Sequence, residues 1–431
     1  MSFRYRVVPV LDENDRVVDA EFYQETEGRD DIKNRRISVV GLGFVGLTLA
    51  VTLADVGFTV TGIDKDPDVV ESLRNGTPPF YESGLEMYLN RVLDRRFSVS
   101  NLLDPNQDDV YIVAVGTPVD SETKEPQLEA VKEATRQVGR ALKTDDLVIL
   151  RSTVPVGTTR NEVLPILEGE SGLDVGDDFG LVFAPERTIA GNALNELRDL
   201  PQIVGAIDEE SQIEASRLFN EVTDSIVKVE SLEAAEMSKI IDNSYRDVTF
   251  AYANQMAKVC EAVGLDMSKL VDAVNLGYDR NQVPKPSPGV GGACLSKDPY
   301  ILNYVGEQHG EQPDLVRTAR RVNESMPTRV ASDIRELLSK TEKNEPFRLF
   351  VLGFAFKGQP ETSDMRNSPT LDLIDTFDDG EVELSGYDPA VSEQAIQDLG
   401  VTPVSPEEGF NGTDAAVIMT NHPDFSKLDI F

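Results

Sequence analysis

From Arg36 the chain alternates short, mostly apolar runs with longer amphipathic stretches: ISVVG, then the glycine turn and LGFVGLTLAVTLADVG, then FTVTGID. Apolar runs of this length bounded by glycine predict buried strands, and the stretch between them predicts a helix, so residues 36–64 read as one βαβ unit. VYIVAVG (110–116), LVILRS (147–152), LVFAP (181–185) and QIVGAI (202–207) repeat the strand signal. Helical stretches such as EAVKEATRQVGRALK separate them, which predicts a mostly parallel sheet covered on both faces. Near Val229 the texture changes. Residues 231–265 contain no proline, carry apolar residues at helical spacing and stop at Gly264, so the longest helix of the chain is expected there, as a spine between domains. A second helical piece, SKLVDAVNLG, leads into the loop VPKPSPGVGGACLSKDP (283–299), and helix resumes to about residue 340. TEKNEP (341–346) reads as a linker. RLFVLGFAFKG, a helix from Ser368, VELSGYDP and AAVIMTNH then predict a second α/β domain. Residues 1–34 mix short apolar pieces, Val7–Leu11 and Val17–Val18, with charges, and read as an arm or small hairpin without chemistry.

A length of 431 residues exceeds what one hydrophobic core fills, in keeping with this division. The charge balance narrows the partners: 76 Asp plus Glu against 41 Lys plus Arg gives a formal charge of −35, which argues against nucleic acid and anionic membranes. Lysine is sparse, 15 against 26 arginines, and the acids are spread along the chain, a pattern that suits a surface kept hydrated in high salt and suggests a halophile. No apolar run approaches the roughly 18 residues that span a bilayer. Arg4, Arg6, Asp12, Glu13, Asp15 and Arg16 interrupt the start where a signal peptide needs apolar continuity, so a cytoplasmic location is expected. Two cysteines, Cys260 and Cys294, and two histidines, His309 and His422, with no CxxC, offer neither a disulfide framework nor a metal site, and give little support to a Ser-His-Asp hydrolase.

The candidate chemistry begins at GLGFVG. Gly41, Gly43 and Gly46 let the backbone turn and approach a pyrophosphate, which the N-terminus of the following helix, with Phe44 and Val45, attracts. Asp64 ends the next strand 18 residues after Gly46, where a carboxylate accepts from the ribose hydroxyls and repels a 2′-phosphate, so NAD is expected over NADP. VGTPVD, with Thr117 and Pro118, and RSTVPVGTT, with Ser152 and Thr153, follow later strands on the side where open α/β sheets bind ligands, although hydroxyls there are also ordinary turn formers. Cys260, inside the long helix, reads as a buried apolar residue. Cys294 is different: it sits in GVGGACLSKD, where Gly289, Gly291 and Gly292 admit a substrate and Lys297 favours a thiolate. A dinucleotide site joined to one such cysteine suggests oxidation through a thiohemiacetal and a thioester, with a base activating water.

GLGFVG, VGTP, STVPVGTT, APERTIAG, AEMSKIIDNSYRD, PGVGGACLSKDPY and GFAFK with TSDMRNSP occur in this order. On these motifs the chain resembles the UDP-glucose/GDP-mannose dehydrogenase family from about residue 36 to its end. The resemblance implies an NAD-binding Rossmann domain (35–228), a central helical dimerisation domain (229–340) and a C-terminal Rossmann-like domain for the UDP-sugar (347–431), after the extension 1–34. It implies that Cys294 captures the aldehyde, that Glu186 is the base for thioester hydrolysis, and that Thr153 and Asp298 place the water. Lys239 and Asn243, four apart on one helix face, would meet the reacting oxygen. Lys297 would stand near that oxygen or the cofactor, Phe356 and Lys357 would touch the UDP, Arg280 the partner's substrate and Arg366 the partner's cofactor.

Within the family, Ala190 stands where the UDP-glucose branch carries a second glutamate, and PERTIAG with NSYRDVTFAYANQ resembles the branch acting on UDP-N-acetylmannosamine or related hexosamines. Lys297 resembles the UDP-glucose branch instead. The expected substrate is UDP-N-acetyl-D-mannosamine, with UDP-glucose and UDP-N-acetylglucosamine as alternatives and Arg187 and Arg246 as branch-specific contacts. Two other readings stay open: a β-hydroxyacid dehydrogenase, against which Cys294 and residues 347–431 count, and a catalytically silent nucleotide-sugar binder.

Overall fold

The computed structural model describes residues 32–428 apart from 106, 342–345 and 378–379, together with the backbone of two strands nearer the N-terminus. Those strands, β1 (Tyr5–Leu11) and β2 (Val17–Gln24), pair antiparallel with a register shift between Val10 and Leu11. The rest of the first 31 residues, and most of the expected linker 341–346, lie outside the described residues.

Eight strands form the main sheet: β3 (Arg36–Val40), β4 (Thr59–Ile63), β5 (Phe97–Ser100), β6 (Val110–Val113), β7 (Asp146–Leu150), β8 (Phe179–Phe183), β9 (Gln202–Ala206) and β10 (Ile226–Lys228). Their order is β10-β9-β8-β7-β6-β3-β4-β5. All neighbours are parallel except β8 and β9, so the last two strands run against the others. Alternate residues feed two cores: Ile37, Val39, Ile112 and Ile149 face one, whereas Val40, Tyr111, Val113 and Leu150 face the other. Burial on both faces is why the central strands β6, β7 and β8 carry nearly continuous apolar runs. β5 is a short strand with an alternating burial pattern, so it leaves no comparable apolar run in the sequence. The strand order reverses between β3 and β6, which opens a crevice at their carboxyl ends.

Helix α1 (Phe44–Asp55) follows β3, and the long helix α2 (Leu232–Ala262) leaves the sheet after β10. Ser231 caps α2 by accepting from Ala234 N at 3.1 Å, and Gly264, at φ +75°, ends it while Leu265 N donates to Cys260 O. At 1.5 Å per residue its 31 residues extend about 46 Å. Three helices, α3 (Asp298–Gln308), α4 (Asp314–Glu324) and α5 (Met326–Ser339), make up the helical stretch expected before residue 340. The C-terminal sheet contains β11 (Phe347–Leu352), β12 (Val382–Tyr387), β13 (Thr402–Pro403) and β14 (Ala415–Ile418), all parallel, in the order β13-β12-β11-β14. Ala331, Ile334 and Leu338 of α5 share a core with Leu349 and Val351 of β11. The apolar face of α5 therefore packs with the C-terminal sheet, although its sequence groups it with the helical middle.

Candidate active site

At the reversal of strand order, β3 ends in the glycine turn. Gly41 has φ +96°, and a Cβ there would lie 2.8 Å from Ala114 O; a Cβ on Gly46 would lie 1.8 Å from Gly41 O. Both glycines are thus required by the packing of the turn on β6 and on α1. Gly43 is different, since a Cβ there would meet nothing within 4 Å, and no side chain caps the α1 N-terminus that it begins. That open cradle in front of uncapped helix N–H groups fits a dinucleotide pyrophosphate. Phe44, in the first turn of α1, packs on Phe80 with ring centroids 5.5 Å apart, and Val45 is half-buried beside it. Asp64 closes the crevice: its carboxylate accepts from Leu42 N at 2.8 Å and from Asp66 N at 3.0 Å, and keeps lone pairs for a ribose.

The loops after β6 and β7 are tied to one another. Thr117 Oγ1 donates to Thr153 O at 2.6 Å and Ser152 Oγ to Val115 O at 2.7 Å, so the hydroxyl protons of Thr117 and Ser152 hold the loops together; Pro118 is exposed and Thr153 half-buried. Arg151, at the end of β7, was given no role by its sequence. It is 1% exposed and donates to Ala184 O, to Gln202 Oε1 and, at 2.5 Å, to Glu186 Oε2. An arginine ending an apolar strand was the available signal, because such a residue is buried only when paired. The other Glu186 oxygen accepts from Arg187 N and Thr188 N. Burial pushes the Glu186 carboxyl up, but the Arg151 charge, the Thr188 N–H and the Lys239 charge outweigh it and hold it below the usual carboxylate range.

Helix α2 presents Lys239 and Asn243, both buried, towards this cluster. Asn243 Nδ2 donates to Asp298 Oδ2 at 2.5 Å, and Lys297 Nζ donates to Asp298 Oδ1 at 2.6 Å and to Thr117 Oγ1 at 3.4 Å. Asp298 is fully buried with both oxygens engaged. A continuous polar chain, Asn243–Asp298–Lys297–Thr117–Thr153, therefore joins the long helix and the cysteine loop to the crevice. Cys294 itself is exposed at this junction. Lys297 was expected to act on the thiol; it is instead paired with Asp298, because a fully buried carboxylate requires a cation. The cation that interacts electrostatically with Cys294 is Arg366, whose guanidinium is chelated by Asp364.

The glycines before Cys294 correct a second expectation. Their missing side chains leave no space for a substrate: a Cβ on Gly289 would lie 2.8 Å from Pro369, one on Gly291 2.1 Å from Asn367 O, and one on Gly292 2.7 Å from the Phe356 ring. Gly292 N also donates to Arg366 O at 3.1 Å. The glycines let the C-terminal domain press its 356 and 366–369 segments against the cysteine loop. Lys357 Nζ bonds to Ala190 O across the domain interface, and burial, aided by Arg246 and opposed by Glu82, brings its pKa down to about 8. Glu82 accepts from Gly191 N and Ala193 N, so the PERTIAG loop is held from both domains. Arg187 reaches α2 through Asp242, 3.9 Å away, whereas Arg246 and Arg280 are exposed and Arg280 lies over the Tyr278 ring at 4.5 Å. Among the described residues no group of three His, Cys, Asp or Glu side chains is placed to hold a metal, and no helix is long and apolar enough to cross a membrane.

Three family models match in register with this architecture: the UDP-glucose/GDP-mannose dehydrogenase family NAD binding domain over residues 35–223, the central domain over 233–325 and the UDP binding domain over 350–431. UDP-N-acetyl-D-mannosamine dehydrogenase of Pyrococcus horikoshii is 33% identical over 91% of both chains, and its solved structure superposes with a TM-score of 0.84. A UDP-glucose dehydrogenase from Pyrobaculum islandicum is 30% identical over 92% of both chains, also at a TM-score of 0.84. UDP-N-acetyl-D-glucosamine 6-dehydrogenase of Pseudomonas aeruginosa is 31% identical over 92% of this chain and 93% of its own. With an NAD crevice, a UDP-binding domain and the helical middle between them all matched, the chain belongs to the UDP-glucose/GDP-mannose dehydrogenase family and is an NAD-dependent nucleotide-sugar 6-dehydrogenase.

Proposed function

We propose that the protein oxidises carbon six of UDP-N-acetyl-D-mannosamine to the carboxylate, through a covalent sulfur intermediate on Cys294, in the cytoplasm. The observation that carries this reading is the polar chain from Asn243 through Asp298 and Lys297 to Thr117, which ties the loop of the exposed Cys294 to the loop after β6. Per sugar, two hydrides and three protons leave the alcohol and one water enters. Bound NAD supplies the hydride acceptor for both oxidations.

The chain's own residues do the rest. Lys239 stabilises the alkoxide as the alcohol loses its proton, and Asn243 orients that oxygen. Cys294 Sγ forms a bond to the aldehyde carbon while the thiol proton passes to the carbonyl oxygen, giving a thiohemiacetal that the second oxidation converts to a thioester. Water then adds to the thioester, the carbon–sulfur bond breaks and the sulfur recovers a proton. Glu186, held as a carboxylate by Arg151, takes the proton from the attacking water, and Thr153 helps place that water. Asp298, fully buried, acts by holding Asn243 and Lys297. Lys357 and Phe356 meet the UDP, and Arg187 and Arg246 the sugar.

The hexosamine is favoured by Ala190, whose short side chain and Lys357-bound carbonyl leave the PERTIAG loop without a second carboxylate. UDP-glucose is the second reading, on Lys297. The product would donate a uronic acid to surface polysaccharide or glycoprotein glycans. Two copies pair through the exposed α2 stripe Ile241, Tyr245, Tyr252 and Val259, whose spacings of four and seven residues keep one face, and Arg280 then reaches the partner's substrate, whereas Arg366, held by Asp364 beside Cys294 of its own chain, serves its own site and not the partner's cofactor. Offering UDP-N-acetylmannosamine, UDP-N-acetylglucosamine, UDP-glucose and UDP-galactose in parallel tests the assignment. Two NADH per sugar with the first as preferred substrate supports it, and preference for UDP-glucose replaces it with the second reading.

A further inference from the structure

Behind the cysteine loop, away from the crevice, the helices α2 and α4 share a polar cluster that the reaction as written does not use. Asp247, Asn254, Arg320 and Asn323 are between 0% and 3% exposed. Arg320 Nη1 donates to Asp247 Oδ1 at 2.6 Å and to Leu295 O, the carbonyl next to Cys294, at 3.0 Å. Asn323 Nδ2 donates to Asp247 Oδ1 at 2.9 Å, Asn254 Nδ2 donates to Asn323 Oδ1 at 3.0 Å, and Asn254 Oδ1 accepts from Ser287 N at 2.8 Å. The cluster thus grips the cysteine loop at two places, Ser287 before the glycines and Leu295 after the cysteine.

We propose that the Asp247–Arg320 pair is a positioning device for Cys294, fixing its sulfur in the frame of the same helix that carries Lys239 and Asn243. Cys294 O accepts from Lys297 N at 3.0 Å and from Asp298 N at 2.9 Å, so the backbone is held on the crevice side as Arg320 holds Leu295 on the far side. Asp247 lies one helical turn beyond Asn243, and Asn243 grips Asp298. Both anchors of the cysteine turn therefore return to α2, and the thiol, the Lys239 ammonium and the Asn243 amide share one rigid support. Stability alone is a weak reason for the pair. A buried ion pair is often matched or exceeded by well-packed apolar residues of similar volume, and here Asp247 Oδ2 and Arg320 Nε have no protein partner among the described residues. Placement does account for it, because an error of about 1 Å in a reacting atom costs on the order of a hundredfold in rate.

The inference rests on the covalent role of Cys294, and the test separates the two. In Arg320→Met the rate of iodoacetamide alkylation of Cys294 relative to Cys260 shifts by about threefold or more, since the exposure and surroundings of the thiol change. In single turnover with UDP-N-acetyl-D-mannosamine, or with UDP-glucose if only that turns over, the first NADH forms at nearly the wild-type rate and the second slows by about tenfold or more, while both KM values stay within about twofold. Arg320→Lys, which keeps a cation for Asp247 and Leu295 O, restores the alkylation ratio. An unchanged ratio in Arg320→Met overturns the positioning role; if that variant does not fold, the same ratio in Asp247→Asn decides. Wild-type formation of the second NADH by Cys294→Ala would instead sink the covalent reading, whatever the alkylation ratio shows.

Discussion

Two glycine-rich loops of the molecule use their glycines in opposite ways. In the 41–46 turn, Gly43 stands before open space, and its missing side chain leaves room for a ligand. In the 289–292 loop, each missing side chain is replaced by protein from the C-terminal domain, namely Pro369, Asn367 O and the Phe356 ring. A sequence carries the absence of a Cβ but not the identity of the neighbour that takes its place. The first loop leaves space open; the second lets a domain dock against the loop that carries Cys294.

The comparison breaks most sharply at Gly291. Gly291→Ala puts a Cβ 2.1 Å from the Asn367 carbonyl, which is backbone and cannot swing aside. We expect a loss of roughly 1–3 kcal/mol, seen as a fall of several degrees in the thermal midpoint, and a drop in kcat of about a hundredfold as the domains part. A variant with normal midpoint and normal kcat would show that this loop is not a docking surface.

Gly43→Ala sharpens the other half. The midpoint should hold, since the new methyl group meets nothing in the protein, while KM for NAD rises by about tenfold and KM for the UDP-sugar does not change. Equal damage to both KM values would contradict the binding role. Replacing Asp64 with Asn should reduce the preference for NAD over NADP by about tenfold, measured as a ratio of kcat/KM, because the repulsion of a 2′-phosphate is lost.

The smallest effect concerns pH at the docked interface. Burial, with a contribution from Arg246, brings Lys357 down to about 8, below the usual lysine range. Its ammonium is the form that attracts a diphosphate, so below pH 8 the free enzyme is ready to bind, and above it each molecule must first take up a proton. KM for the UDP-sugar should therefore climb as pH rises through about 8, by at most about tenfold per unit, and Lys357→Met should remove the climb. A pH-independent KM in the wild type would exclude Lys357 from UDP binding.

Strands β3, β4 and β6 to β9, the long helix and the second α/β unit were legible because burial on both faces leaves runs of mostly apolar residues, and because a proline-free period marks α2. β5, β10 and β13 were not, since β5 alternates buried and exposed positions and the other two are only three and two residues long. The placement of α5 with the C-terminal core was hidden for a different reason: an amphipathic helix displays its apolar face without naming the sheet that covers it. At the site, GLGFVG and Asp64 gave the crevice, and Cys294 stood out by its setting. Arg151, Asp247 and Arg320 went unread, because a charge in sequence says nothing of the buried partner that lets it leave water. Lys297 was read as a partner of the thiol from its spacing, whereas the fold delivers it to Asp298 and Thr117.

The central claim is that Cys294 holds the sugar covalently between the two oxidations. Acid-quenching the enzyme milliseconds after mixing with NAD and the UDP-sugar, then measuring the mass of the peptide that contains Cys294, tests it directly. The account predicts an added mass of the nucleotide sugar at the thioester stage on that peptide, transient in the wild type and missing from Cys294→Ala. An unmodified peptide throughout a turnover that releases two NADH, together with wild-type uronate formation by Cys294→Ala, would contradict it.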